Sequence, residues 1–396
     1  MSVLRGIRVL EFEAIGPAPF GAMLLADMGA DVLRVNRAVP AGDLGFRPDG
    51  GRRVDITGRG RRSVTLDLKQ PEGVAAALEL VARADVLVEG LRPGVMEKLG
   101  LGPDAALARN PRLVYARMTG WGQDGPLAQR AGHDLNYIAL SGVLAAIGPA
   151  GGKPVVPLNL VGDYGGGGML LALGVLAALL QVQRGGAGQV VDAAMAEGAA
   201  QLGAVFWGLQ GTGRWNEARG SNLLDGGAPW YDTYETRDGK YMAVGAVESR
   251  FYAELVERLG LARAGLPGQH ERAGWPRLRA AFAEAFASRS RDEWAAVFAD
   301  SDACVAPVLS FAEAPAHPHH QARGSFVEID GVVQPGPAPR FSATPSALPR
   351  RAPARGEHGL QALRDWGFDA EAIERLHRQG LGSAAPRPEK HQETSP

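Results

Sequence analysis

His133 and Asp163 are the residues whose types and surroundings best suit proton transfer. They stand thirty positions apart, the first in AGHDLNYIALSG and the second in PLNLVGDYGGGG. An imidazole and a carboxyl, with reference pKa values of about 6.5 and 3.9, form a pair that local tuning can set to exchange protons near neutrality. His133 and Asp134 precede the apolar residues Leu135, Tyr137, Ile138 and Leu140, so they fall where a helix begins. Asp163 follows an apolar segment (155–161) and precedes four glycines and a helical run, which predicts a strand-to-helix turn. Glycines on such a turn let a substrate approach the backbone closely. Taken alone, His133 also reads as a structural histidine and Asp163 as a helix N-cap.

The preceding residues must position this pair. Residues 8–13 predict a strand, Pro17 and Pro19 open a helix through Met28, and 31–35 predict a second strand. Further strands are expected over 61–68, 85–89 and 113–118, with helices over 71–84 and from 95 to 99. This alternation favours a doubly wound α/β domain. The first strand–helix turn, GPAPFG at 16–21, is neither G-x-G-x-x-G nor a phosphate loop. Residues 38–60, rich in Gly, Arg and Asp, predict a long loop. Beyond 188, a strand leads into a helix, and 211–227 read as polar loop. Residues 230–235 and 240–244 predict a hairpin turning on Arg237–Asp238–Gly239. Helices over 250–259, 275–287 and 291–299 complete a smaller α+β unit. A Pro-rich stretch (307–353) returns toward the first domain, and short helices are expected near 359–366 and 369–379. Residues 382–396 read as a disordered tail.

The chain has 396 residues, 45% hydrophobic and 21% charged, with formal net charge −1. This is a soluble composition whose total gives no reason to expect nucleic acid or an anionic membrane as partner. The N-terminus reads as a strand, not a signal peptide, and the apolar run 169–180 is short for a membrane span of roughly 20 residues. The single cysteine, Cys304, rules out an intramolecular disulfide, allows a reducing compartment, and reads as a small core residue. His317, His319 and His320 lack a flanking carboxylate or cysteine cluster and read as loop, so no metal site is expected. With 37 Arg against 5 Lys, an isolated arginine carries little information.

The block AGHDLNYIALSG, with GIRVLEFEAIGPAPFGAMLLADMGADVLRVNR, EGLRPGVMEKLGLGP, YARMTGWGQDGP, PLNLVGDYGGGG, GQVVDAAMAEG, LDGGAPWYDTYE, YMAVGAVESRFY and SDACVAPVL, resembles the α-methylacyl-CoA racemases of the family III CoA-transferase (CaiB/BaiF-type) superfamily. The resemblance covers nearly the whole chain except the tail. It implies an interlocked homodimer, each subunit having a large Rossmann-like CoA-binding domain (1–200 and 325–396), a small α+β domain (225–320) and linkers (201–224 and 321–324) that thread through the partner.

By that resemblance His133 and Asp163 are the acid/base pair, on opposite faces of the carbon next to a thioester, and Glu248 orients and charges His133. Removing a proton there also needs donors for the enolate oxygen, and the Asp134 N–H is one candidate. Asp163 must be neutral when His133 is the base, so burial must raise its pKa. Implied substrate and CoA contacts are Arg37, Leu66, Asp67, Leu68, Lys69, Gly90, Leu91, Arg92, Lys98, Gly132, Asp134, Leu135, Asn136 and Tyr137. Lys98 offers a point charge where an arginine would offer a fork. Glu248 also reads as a first-turn helix glutamate. No separate cofactor is implied, since CoA is part of the substrate, and a cytoplasmic location is expected. The alternative is a family III CoA-transferase in which Asp163 is a nucleophile, but such enzymes typically lack the histidine at position 133. A non-catalytic CoA-ester-binding protein would not require His133, Asp163 and Glu248 together.

Overall fold

The computed structural model describes residues 2–37, 55–379 and 381. Most of the expected 38–60 loop, and the 382–396 tail, lie outside the described residues. The chain divides into two compact units. The larger comprises 1–141, 158–202 and 324–396; the smaller comprises 142–157 and 203–323.

The larger unit opens with β1 (Arg8–Phe12), α1 (Pro17–Asp27), β2 (Asp31–Arg37), β3 (Arg61–Leu66), α2 (Pro71–Val81), β4 (Val86–Glu89), α3 (Val95–Lys98), α4 (Pro103–Arg109), β5 (Val114–Thr119) and α5 (Asp134–Leu140). After α6 (Val143–Ala146), which belongs to the smaller unit, come a π-helical segment (Leu160–Met169), α7 (Leu170–Gln183), β6 (Gln189–Ala194) and α8 (Met195–Leu202). The smaller unit continues with α9 (Ala204–Gly211), β7 (Tyr231–Glu235), β8 (Tyr241–Gly245), α10 (Ser249–Arg258), α11 (Trp275–Ala287), α12 (Arg291–Phe298), β9 (Val305–Pro307) and α13 (Pro318–Arg323). The hairpin β10 (Phe326–Ile329) and β11 (Val332–Pro335), then α14 (Gly359–Asp365) and α15 (Ala370–Arg378), return to the larger unit.

Strands β1 to β6 form one parallel sheet in the order β3-β2-β1-β4-β5-β6. Strands β1, β4 and β5 are almost wholly buried and mainly apolar, as a sheet covered on both faces requires, whereas β3 buries a mostly polar run (RRSVTL) and β6 exposes most of its first four residues. Leu10, Leu33, Val64 and Leu87 face α2, α14 and α15, while Val9, Val32, Val86 and Val114 face α1 and α7. The smaller unit packs a three-stranded antiparallel sheet, β7-β8-β9, on an aromatic core of Trp230, Phe282, Phe286 and Trp294. Its hairpin turns where expected, with Gly239 at φ 70°.

Several local expectations fail. Residues 155–157 form no strand, and Asp163 sits in the first turn of the π-helical segment rather than on a strand-to-helix turn. The glycines there serve packing of backbone on backbone. A Cβ on Gly166 would lie 2.5 Å from the Ala199 nitrogen in α8, and one on Gly168 would lie 2.7 Å from the Pro17 oxygen in α1. The segment runs into α7 without a break, giving 24 helical residues (Leu160–Gln183) that could cross a membrane by length and apolarity alone. Half of the apolar window is buried within the fold, as a core helix requires. Cys304 is exposed, at φ 54°, and is not a core residue. Pro318, His319 and His320 lie in the short helix α13 in place of a loop, with His317 just before it.

Candidate active site

The strand order reverses between β1 and β4, and a doubly wound sheet opens its ligand crevice beyond the carboxyl ends of strands at that point. Residues 13–16 leave β1 there, and Gly90–Arg92 leave β4 beside them. A Cβ on Gly90 would be 3.0 Å from the methyls of Ala14 and Ala18, so a side chain at 90 would force the two loops apart. Arg37 and Leu66, paired in register, end β2 and β3 on the same rim, and Asp67–Lys69 follow. Asp67 accepts a hydrogen bond from the Lys69 N–H at 3.0 Å, which shapes that turn. Lys98 closes α3 and is exposed, as are Arg37, Lys69 and Arg92.

His133 and Asp163 meet at this crevice. His133 is the exposed N-cap of α5, in extended backbone, and its main-chain N–H donates to the Asn136 side chain at 3.0 Å. Asp134, the next residue, is buried, and its Oδ1 accepts from the Gly162 and Asp163 N–H groups, both at 2.7 Å. That clip joins the start of α5 to the π-helical segment. Asp163 is half-buried, with Oδ2 accepting from Asn159 Nδ2 at 3.0 Å. A Cβ built on Gly16, at the start of α1, would sit 3.4 Å from the same oxygen. Gly16 (φ 69°) thus leaves open the space in front of the carboxylate.

Burial is the main influence raising the Asp163 pKa; the Asn159 hydrogen bond opposes it, Asp134 adds to it and His133 opposes it. The balance lies above the ordinary aspartate value, so the carboxyl holds a proton more readily than a solvated one. Asp163 is therefore able both to give and to receive a proton, beside an exposed imidazole.

The remaining expected contacts divide by exposure. Leu135 and Asn136 present exposed side chains. Tyr137 is buried, donates its hydroxyl to the Gly132 carbonyl, and packs edge-on against Trp121 with ring centroids 4.7 Å apart. Gly132 is required for that packing, since a Cβ there would lie 2.8 Å from the Tyr137 ring. Glu248 is the exposed N-cap of α10, in the smaller unit. No group of three or more His, Cys, Asp or Glu suited to a metal ion occurs among the described residues.

Three supporting residues escaped sequence reasoning. Asn159 holds Asp163, and its only signal is the i, i+4 spacing from Asn to Asp in a segment that did not read as helical. Glu89 is fully buried and accepts from the Leu91 N–H at 2.7 Å and from Arg117 Nε at 2.9 Å. Arg117 in turn holds Glu97 at 2.8 Å. This chain fixes the Gly90–Arg92 loop and the start of α3; a charged residue ending an otherwise apolar strand was its available signal.

A family model for CoA-transferase family III matches residues 4–359. The chain is 48% identical to the alpha-methylacyl-CoA racemase of Mus musculus, over 95% of this chain and 96% of that protein. It is 48% identical to the alpha-methylacyl-CoA racemase of Homo sapiens, over 94% and 96% respectively. The crystal structure of a CAIB/BAIF family protein from Brucella suis superposes with TM-score 0.79 at 26% identity, covering 92% of this chain and 99% of that one.

Proposed function

This chain belongs to CoA-transferase family III, and from that premise we propose that it is an isomerase interconverting the (R) and (S) forms of α-methylacyl-CoA thioesters. The observation that supports the mechanism is an exposed histidine near a half-buried aspartate whose pKa burial raises, at the switch point of the sheet. The carbon next to a thioester carbonyl is a weak acid. One group removes its proton to leave an enolate, and the other returns a proton to the opposite face. His133 and Asp163 take these roles in turn: neutral imidazole with protonated carboxyl in one direction, imidazolium with carboxylate in the other. The pair carries one proton before and after the reaction and two while the enolate stands, so the step balances with no redox partner and no cofactor beyond the CoA already in the substrate. The Asp134 main-chain N–H, at the first position of α5, is one of the donors that a helix start leaves unpaired and serves the enolate oxygen.

The CoA moiety lies along the rim formed by Arg37, Leu66–Lys69, Gly90–Arg92 and Lys98. Its phosphates meet Arg37, Lys69, Arg92 and Lys98, and Gly90 admits the chain between loops. Glu248 orients His133, from the same chain or from a partner. The functional form is an interlocked homodimer, supported by the exposed apolar side chains Met169, at the end of the π-helical segment, Leu173 and Leu180 along α7, and Val205 and Trp207 on α9. A near-zero net charge and a single cysteine fit a cytoplasmic enzyme with neither nucleic acid nor membrane as partner.

The direct test is incubation of one epimer of an α-methylacyl-CoA in deuterated water, without an acceptor acid. Deuterium at the α-carbon of both epimers is the expected result. No label, but CoA transfer once a free carboxylic acid is added, would make Asp163 a nucleophile and the protein a transferase.

A further inference from the structure

Asp134 is buried to 5% exposure, yet among the described residues its carboxylate meets no cation in a hydrogen bond or ion pair. Oδ1 accepts two main-chain N–H groups from the first turn of the π-helical segment, and Oδ2 is buried with no hydrogen-bond partner. The residue preceding that segment, Asn159, provides no side-chain cap; its amide is directed to Asp163. The orphan N–H groups of one helix are therefore capped by a carboxylate from the start of another, 28 and 29 positions away. Residue 162 is glycine for the same reason: a Cβ there would lie 2.6 Å from Asp134 Oδ1.

Both reacting groups are neighbours of this contact in the chain. His133 precedes Asp134, and Asp163 owns one of the two capped N–H groups. We propose that the Asp134 side chain is a positioning residue that fixes the separation of His133 and Asp163 by clamping α5 to the π-helical segment, rather than a ligand of the substrate. The proposal rests on the racemase reading of the site. Its second consequence is electrostatic. Among the described residues, the charged groups that act on Asp163 are Asp134 and His133; Tyr137 of α5 senses Asp163 in return, and Gly16, which caps α1, brings no charge to it. The negative charge of Asp134 favours the protonated form of Asp163, the form needed when His133 is the base.

The test uses full-length protein carrying Asp134→Asn, which keeps the acceptor oxygen and removes the charge, and separately Gly162→Ala, which presses on Oδ1 from the other side. Epimer-resolved deuterium exchange gives kcat and KM. The Asp163 carboxyl is followed by carbon NMR titration and assigned by its loss in Asp163→Asn. The expected outcome for each variant is a kcat lower by roughly 10- to 100-fold with KM near wild type, as a small misplacement of a reacting group produces. Asp163 should titrate at lower pH in Asp134→Asn, and the double variant should be no worse than the more damaged single one. A raised KM with unchanged kcat would make Asp134 a substrate ligand and overturn the proposal, as would unchanged kcat together with unchanged titration. Should wild-type protein exchange no α-proton at all, the racemase reading fails by itself. The titration of Asp163 in Asp134→Asn then decides whether the clamp and its charge act as described.

Discussion

Two carboxylates flank the start of α1 and are treated in opposite ways. Glu11, fully buried at the end of β1, is gripped by Arg61 Nε at 2.9 Å and Arg34 Nε at 3.3 Å. Arg61 also donates to the Pro19 carbonyl of α1 and the Thr57 and Arg59 carbonyls, and Arg34 reaches Asp55. Asp163, next to Gly16 at the start of that helix, has among the described residues a neutral amide as its side-chain hydrogen-bond partner and a second carboxylate, Asp134, near it. The first arrangement fixes an anion and ties the helix to the sheet. The second leaves a carboxyl that burial and a neighbouring carboxylate push above its ordinary pKa, toward the protonated form. Asp55 makes the same point: burial pushes its pKa up, but Arg34 and the Thr57 hydrogen bond outweigh that and hold it below the usual range.

The contrast can be broken from either side. The largest expected effect is Asp163→Asn, which should lower kcat for racemisation by roughly 10²- to 10⁴-fold, the usual worth of a positioned acid or base. Its unfolding free energy should change by under about 1 kcal/mol, as at sites away from buried networks. Glu11→Gln should invert that pattern. Removing one partner of a buried ion pair costs about 3–5 kcal/mol, read by urea unfolding, while folded protein retains its kcat. Glu89→Gln falls between the two. With the Gly90–Arg92 loop loosened, KM for CoA thioesters should rise several-fold and kcat should hold, in steady-state assays. The smallest effect is in the pH profile. The pair is active with one proton and is inactivated when Asp163 takes up a second. Because burial raises the Asp163 pKa, the acidic limb of kcat/KM should lie above the ordinary aspartate value of about 3.9, activity rising as pH climbs through it.

Strands β1, β2, β4 and β5 were legible as short runs rich in Val and other apolar residues. Pro17 marked the start of α1 because a first turn tolerates proline. His133 at the start of α5 was legible from polar residues before an apolar periodicity. The surroundings of Asp163 were not. Four successive glycines carry a turn signal, and nothing local reveals that α1 and α8 approach so closely that only glycine fits. Nor can spacing show that Asp134 caps a helix 28 residues away, because that contact exists only after the two elements pack. Cys304 misled for a related reason: flanked by Ala303 and Val305 it looked interior, but its left-handed backbone turns the thiol outward. Strand β9 is a three-residue segment ending in proline, and its pairing with β8 is non-local.

The central claim is that His133 and Asp163 serve opposite faces of one carbon. The most direct measurement is epimer-resolved α-proton exchange in deuterated water for Asp163→Asn and His133→Ala. Neither variant should invert its substrate faster than about a hundredth of the wild-type rate, while Asp163→Asn should still exchange the α-proton of a single epimer with retention, through His133. Exchange of both epimers by Asp163→Asn would show that one base reaches both faces, and would contradict the account.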